Sequence, residues 1–221
     1  MLGAGGLAAL VLAAGAGSRL GGVAKCLITV DGETLLQRLL RAVHTLAPAQ
    51  TVLVLGHHAQ AIQNALRATA APLPLTVVHN AEPGDSPASS LRLGLLALRP
   101  EVNTVMVLLA DQPLLAASDL QRALQAFDGR SPAQRIVWPV HGGAPGHPLL
   151  MQADLAREWL AQSQTGLRPW ALQRPEQVAL WHTDSPHHTR DLDTPDDLAR
   201  LAHDTGETWA LPRTDAKSPQ N

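Results

Sequence analysis

Between Leu12 and Lys25 the chain reads Leu-Ala-Ala-Gly-Ala-Gly-Ser-Arg-Leu-Gly-Gly-Val-Ala-Lys. Small residues let backbone N–H groups approach an anion closely, and Arg19 and Lys25 add two positive charges suited to phosphate. The chemistry open to such a loop is the cradling of a polyphosphate; plain chain geometry is the other reading of its glycines. Two distant stretches carry carboxylates. Leu108-Leu109-Ala110-Asp111-Gln112-Pro113 ends an apolar run on an acid, and Asp191-Leu192-Asp193 leads into Thr194-Pro195-Asp196-Asp197. A carboxylate at a strand end can ligate Mg²⁺, a hard cation that needs few protein oxygens when phosphates supply the rest. A helix-cap or loop role for Asp111 is the alternative. Thr194 to Asp197 is a strong helix start: a cap, a proline in the first turn and acids against the dipole. Capping leaves Asp191 and Asp193 unexplained, and these share one face of an extended segment from which a metal can be reached.

Two commoner phosphate loops do not fit. A dinucleotide fingerprint needs a third glycine where Leu20 stands and a helix opening from the loop. Cys26 to Val30 instead reads as strand and stops at the turn pair Asp31-Gly32. A Walker loop requires Gly-Lys-Ser/Thr, whereas Lys25 lies between Ala24 and Cys26. The ten histidines do not suggest zinc, because His57-His58 and His187-His188 are adjacent pairs and no His-Glu-x-x-His occurs. The single cysteine, Cys26, excludes an internal disulfide and reads as a small packed residue.

Positioning these groups requires a scaffold, and its pattern is legible. Apolar runs at Leu7 to Leu12, Thr51 to Leu55, Leu75 to Val78, Thr104 to Leu109, Ile136 to Val140 and Val178 to Trp181 predict buried strands. Helical spacing falls between most of them: Thr34 to Leu46, Ala59 to Arg67, Ser89 to Leu98, Ser118 to Phe127 and, later, Asp154 to Gln162. This alternation predicts an α/β protein: one Rossmann-like, three-layer αβα domain with a mainly parallel sheet. Right-handed crossovers then collect the loops after the strands along one sheet edge, where such folds bind ligands. Residues 1–204 make up the expected domain, and 205–221 read as a polar, flexible C-terminal tail, with wrapping on the body as the alternative. The apolar N-terminal stretch has no Lys or Arg before Arg19 and is read as a strand in preference to a secretory signal. With 221 residues, 45% of them hydrophobic, and a formal charge of −2, a sizeable core is expected without the basic field that nucleic acid or an anionic membrane would require.

Leu12-Ala13-Ala14-Gly15, with Gly17, Arg19, Gly21 and Lys25, resembles the signature loop of nucleotidyltransferases that act on the molybdenum cofactor. Leu20 departs from the family's usual methionine and Ala24 from its common polar residue. The resemblance implies a sheet of the nucleotide-diphospho-sugar transferase type and a loop that wraps base and triphosphate. On it, Leu12, Ala13, Ala14, Gly15, Gly17, Arg19 and Lys25 bind nucleotide, and Lys25, Arg19 and Asp111 are catalytic. Asp111 and Asp193 hold Mg²⁺, with Asp193 matching the closing motif better than Asp191. The segment Ala88-Ser89-Ser90-Leu91-Arg92 resembles the family's Ser-Leu stretch, so that Ser89 and Ser90 either contact base or ribose or cap a helix beside a solvent-facing Arg92. Gly146-His147-Pro148 resembles the Gly-His-Pro motif on the pterin side, as substrate contact or as loop support. The implied reaction transfers CMP from CTP to the phosphate of molybdopterin with release of pyrophosphate, in the cytoplasm, with transient delivery to a molybdenum hydroxylase. Ala14, Asp-Gln-Pro and Gly-His-Pro favour the cytidylyl over the guanylyl branch. A sugar-1-phosphate acceptor and, behind it, a non-catalytic cofactor carrier are the alternatives.

Overall fold

The computed structural model describes residues 6–68, 74–84, 87–163 and 165–212. The first strand, β1 (Gly6–Ala13), leads into the glycine-rich loop. Two short strands follow, β2 (Thr29–Val30) and β3 (Glu33–Thr34), joined through Asp31 and Gly32, both with positive φ (50° and 85°) as a two-residue hairpin requires. Then come α1 (Leu35–His44), β4 (Gln50–Leu55), α2 (Ala59–Arg67), β5 (Thr76–His79), α3 (Ala88–Leu96), β6 (Val102–Leu109) and α4 (Ala117–Asp128). The C-terminal half comprises β7 (Ile136–His141), β8 (Ala144–Pro145), β9 (Leu149–Gln152), α5 (Ala153–Gln162), α6 (Leu167–Leu172), β10 (Val178–His182), α7 (Pro195–Thr205) and β11 (Trp209–Ala210).

The main sheet runs β10-β7-β9-β6-β1-β4-β5, with β8 paired to β7. Strands β6, β1, β4 and β5 are mutually parallel, as are β10 and β7; β9 is antiparallel to both its neighbours. Helices cover both faces, as the alternation predicts. Strand β1 shows why: Ala9, Val11 and Ala13 enter the core packed by α1, α2 and α4, while Ala8, Leu10 and Leu12 enter the core packed by α3, α5 and α6. Burial on both faces makes its sequence continuously apolar. The topology reverses between β4 and β6 on either side of β1, and the crevice outside the carboxyl ends of β1 and β6 is the place where open α/β sheets take ligands.

Three expectations need correcting. Lys25–Leu27 is a 3-10 turn, closed by Leu27 N–H to Ala24 O and Ile28 N–H to Lys25 O, so strand begins only at Thr29. That turn, and not an extended run, aims Lys25. Strand β9 was not anticipated, since Leu149-Leu150-Met151 is too short an apolar run to register beside the glycines before it. The segment from Thr205, expected as a tail, is part of the body through Ala210. Strand β11 pairs antiparallel with β2, Thr208 N–H donates to Asp31 Oδ1 at 2.9 Å, and Arg38 holds Glu207 at 3.0 Å. Residues 213–221 of that expected tail lie outside the described residues. A third core, with Leu20, Val23, Ile28, Val30 and Leu35 on one side and Leu192, Leu201 and Trp209 on the other, fastens the glycine-rich loop to the C-terminal elements.

Candidate active site

A cleft of about 330 Å³ opens above the carboxyl ends of β1 and β6. Leu12, Ala13, Ala14, Gly15, Gly17, Arg19 and Lys25 line it from the first loop, Ser90 from α3, Asp111 from the end of β6, and Asp193 from the C-terminal segment. Each is placed by a local device. Gly17 has φ +62°, and a Cβ there would meet Val23 O at 1.9 Å, so the loop can double back only on glycine. Gly17 O also accepts from Leu20 N–H and Gly22 N–H, both at 3.0 Å, and the resulting turn carries Arg19. Ala110 N–H continues the β1–β6 ladder onto Leu12 O at 3.0 Å, which leaves Asp111 as the first residue free of the sheet. Asp193 immediately precedes the N-cap of α7. The reciprocal Thr194–Asp197 box satisfies that helix end, and Asp197 Oδ2 also takes the Asp193 N–H at 3.1 Å.

The charged groups meet at one point. Lys25 Nζ donates to Asp193 and, at 3.3 Å, to Asp111 Oδ2, while Arg19 Nη1 donates to Asp193 Oδ2 at 2.7 Å. Burial by itself would lower the Lys25 ammonium, but the hydrogen bond to Asp193 and the charges of Asp111 and Asp193 outweigh it and hold its pKa above the ordinary lysine value. Lys25 is therefore a fixed cation and not a proton acceptor. Asp191 completes the acidic group. Desolvation, with the negative charges of Asp111 and Asp193, pushes its carboxyl up to about 6 although part of the residue remains open to solvent. Loss of hydration disfavours the charged form, and the neighbouring carboxylates add to it. Among the described residues no three His, Cys, Asp or Glu side chains form a ready-made metal cage. Asp111 and Asp193, bridged by one ammonium, are hard oxygen donors with most of a coordination sphere left to ligand oxygens, and this donor set fits Mg²⁺.

Other residues fall differently from expectation. Ser90 lines the cleft; Ser89 does not. Both hydroxyls accept from Asn80 Nδ2, at 2.9 and 3.0 Å, while Asn80 Oδ1 takes the Glu82 N–H. Asn80 thus orients the pair, and its position just beyond β5, next to the sheet edge that collects ligands, is the signal that sequence reading overlooked. Arg92 is not solvent-facing in role: it donates to Ser163 O and Leu160 O, closing the C-terminal end of α5, and lies 5.0 Å over the Trp159 ring. The Ala14 methyl lies beside Gly56, whose own Cβ would come within 2.7 Å of it. Cys26 is buried, and desolvation with the Asp111 charge pushes its thiol up to about 12, which makes it unreactive packing.

Gly146, His147 and Pro148 do not line this cleft. They lock the β7–β9 connection to the 3-10 turn Pro186–His188. His147 N–H donates to His188 O at 2.8 Å, His188 Nδ1 donates to His147 O at 2.9 Å, and a Cβ on Gly146 would strike His188 O at 2.0 Å. Gln112 Nε2 donates to the same His188 oxygen at 3.0 Å, so the strap after Asp111 is tied into the lock. Desolvation lowers the pKa of both His147 and His188.

The model of the MobA-like NTP transferase domain matches residues 9–178. The chain belongs to that family. The chain is 31% identical over 197 residues to nicotine blue oxidoreductase of Paenarthrobacter nicotinovorans, covering 87% of this chain and 94% of that protein. It is also 29% identical over 219 residues to the bifunctional protein GlmU of Mycobacterium marinum, where it spans 91% of its own length but only 44% of the relative. Among solved structures, Rv0371c from Mycobacterium tuberculosis H37Rv superposes with a TM-score of 0.73 at 26% identity, over 90% of this chain and 99% of that one. The same protein has been solved in complex with manganese, with a TM-score of 0.68. Among the described residues of this MobA-like chain, no helix is long and apolar enough to cross a membrane.

Proposed function

We propose that this MobA-like protein is a nucleotidyltransferase that joins a nucleoside monophosphate to a phosphorylated small molecule and releases pyrophosphate. The observation that carries the reading is the meeting of Lys25 and Arg19 with Asp111 and Asp193 in one cleft at the switch point of the sheet. An oxygen of the acceptor phosphate attacks the α-phosphorus in line, and the bond from that phosphorus to the bridging oxygen breaks. Such transfer needs positioning and charge neutralisation more than covalent chemistry. Lys25 and Arg19 leave their carboxylate partners for phosphate oxygens and hold them as charge builds on the departing pyrophosphate. Asp111 and Asp193, so released, are the residues that would hold Mg²⁺, which supplies charge neutralisation between the phosphates when bound. That the related Rv0371c has been solved in complex with manganese supports a divalent cation as the partner of such a donor set. Ser90, oriented by Asn80, turns its hydroxyl toward the base or ribose.

In its finer form the proposal is CMP transfer from CTP to molybdopterin phosphate, followed by delivery to a molybdenum hydroxylase. It is supported by the family match and by the loop and Asp-Gln-Pro motifs. A sugar 1-phosphate is the second acceptor reading. It gains weight because Gly146-His147-Pro148, the residues read as the pterin side, serve as a lock outside the cleft. The deciding experiment measures pyrophosphate release with Mg²⁺ and each of CTP, GTP, UTP and ATP, with molybdopterin or a panel of sugar 1-phosphates as acceptor, and the product is identified by mass. CTP-dependent release with molybdopterin is expected. Release with a sugar 1-phosphate alone replaces the acceptor. Turnover of nicotine blue with no pyrophosphate from any pair overturns the transferase reading.

A further inference from the structure

The turn between β4 and α2, Gly56-His57-His58, touches the glycine-rich loop at three successive points. Gly56 packs so tightly that a Cβ would lie 2.7 Å from both the Ala14 methyl and the Ala14 oxygen. The His57 N–H donates to Ala14 O at 3.4 Å. His58 Nε2 lies 2.9 Å from Ala16 O, and because a carbonyl oxygen only accepts, the imidazole donates from Nε2. His58 is also the N-cap residue of α2, yet its side chain makes no cap bond. Ser, Thr, Asp or Asn would serve that helix better. Its ring reaches across the cleft wall instead.

The consequence lies in the peptide planes. These bonds are trans, so each N–H points opposite the carbonyl that precedes it. With the Ala14 and Ala16 carbonyls both drawn to the Gly56–His58 turn, the N–H groups of Gly15 and Gly17 face the other way. Both glycines line the cleft, and neither N–H donates to any group among the described residues. We propose that His58 is a positioning residue for the nucleotide: through the Ala16 carbonyl it holds the Gly17 N–H, and with His57 the Gly15 N–H, in the orientation that receives the triphosphate oxygens. The inference rests on the nucleotidyltransferase reading and extends it to a residue that touches neither reacting atom.

The test compares His58→Asn with His58→Gln. Asparagine caps α2 but is too short to reach Ala16, whereas the glutamine amide can span the gap and donate. His58→Asn is expected to melt at or above the wild-type temperature while KM for CTP rises about tenfold, the scale of one hydrogen bond to a charged partner's support. The acceptor KM stays unchanged, and His58→Gln recovers most of the CTP affinity. Wild-type CTP KM in His58→Asn overturns the positioning role. An equal loss in both variants, accompanied by a lower melting temperature, assigns His58 to structure alone and also overturns it. Calorimetry on the wild type with Mg²⁺ and each of CTP, GTP, UTP and ATP separates the layers: binding of none of the four refutes the nucleotidyltransferase reading itself.

Discussion

Gly146→Ala separates a locking role for the Gly-His-Pro loop from a ligand-contacting one. A methyl at this position would sit 2.0 Å from His188 O, 2.6 Å from the carbon that bears it and 2.9 Å from Thr189 Cγ2. The first two are backbone atoms and cannot rotate away. Relief to a tolerable contact of 3.0 Å or more requires the Pro186–His188 turn to retreat by at least about 1 Å, a displacement of the overpacking kind that costs about 1–3 kcal/mol. That oxygen also accepts from His147 N–H at 2.8 Å and Gln112 Nε2 at 3.0 Å, and such a shift stretches both bonds. Two weakened hydrogen bonds add about 1–2 kcal/mol. Part of this is the same event counted twice, so a total of about 2–4 kcal/mol is expected. For a chain of this size that corresponds to a fall in melting temperature of roughly 5–15 °C. Thermal unfolding followed by circular dichroism reads it directly. Turnover should fall as well, because Gln112 adjoins Asp111, whereas the acceptor KM should move little. His147→Ala is the companion variant, since it preserves the main-chain bonds while removing the ring, its packing and its contact to Val107 O at 3.3 Å. A Gly146→Ala protein with wild-type stability and a raised acceptor KM would refute the lock and return the loop to the substrate side.

Lys25→Met removes the cation between Asp111 and Asp193 and should slow pyrophosphate release 10²–10³-fold, roughly the effect of deleting one transition-state donor; a rate within threefold of wild type at saturating CTP excludes Lys25 from the phosphate site. Asp191, raised from 3.8 to about 6, favours the folded state fully below pH 4 and loses that contribution as pH rises through 6. Asp191→Asn cannot ionise, so its melting temperature relative to wild type should be higher at pH 7.5 than at pH 4, and a difference that does not change with pH contradicts the crowding of carboxylates. Ala14→Gly should narrow a preference for CTP over GTP by no more than the roughly 1–3 kcal/mol that shape discrimination supplies. Because the methyl rests beside Gly56, the change acts through the loop's seating, and an unaltered kcat/KM ratio would reject any part for Ala14 in base choice.

Much of this protein was legible before its fold. The helix Ala59–Arg67 and the strands around Thr51 to Leu55 and Ile136 to Val140 fall within a residue or so of the pattern, because burial on both sheet faces and amphipathic helix faces write themselves into local hydrophobic periodicity. The placement of the candidate site residues was legible for a related reason. Gly17, Arg19, Lys25 and Asp111 follow apolar runs, and parallel topology brings every such position to one edge. The cap Thr194–Asp197 was equally local, since a helix start is a contract between residues three apart.

Tertiary structure decided what local pattern cannot carry. That Asp193 meets Lys25 and Arg19, across separations of 168 and 174 residues, depends on the third core fastening Leu20 and Ile28 to Leu192 and Leu201. That position 146 admits only glycine depends on the His188 oxygen, 42 positions away, occupying the space where a Cβ would go. The contact of His58 with Ala16 is of the same kind: the two lie 42 positions apart, and only the pairing of β1 with β4 makes their segments neighbours. Periodicity reports which way a side chain faces, because that is set within a turn or two of backbone. It is silent on what stands opposite, because that is set by packing between elements whose separation along the chain leaves no trace in either one.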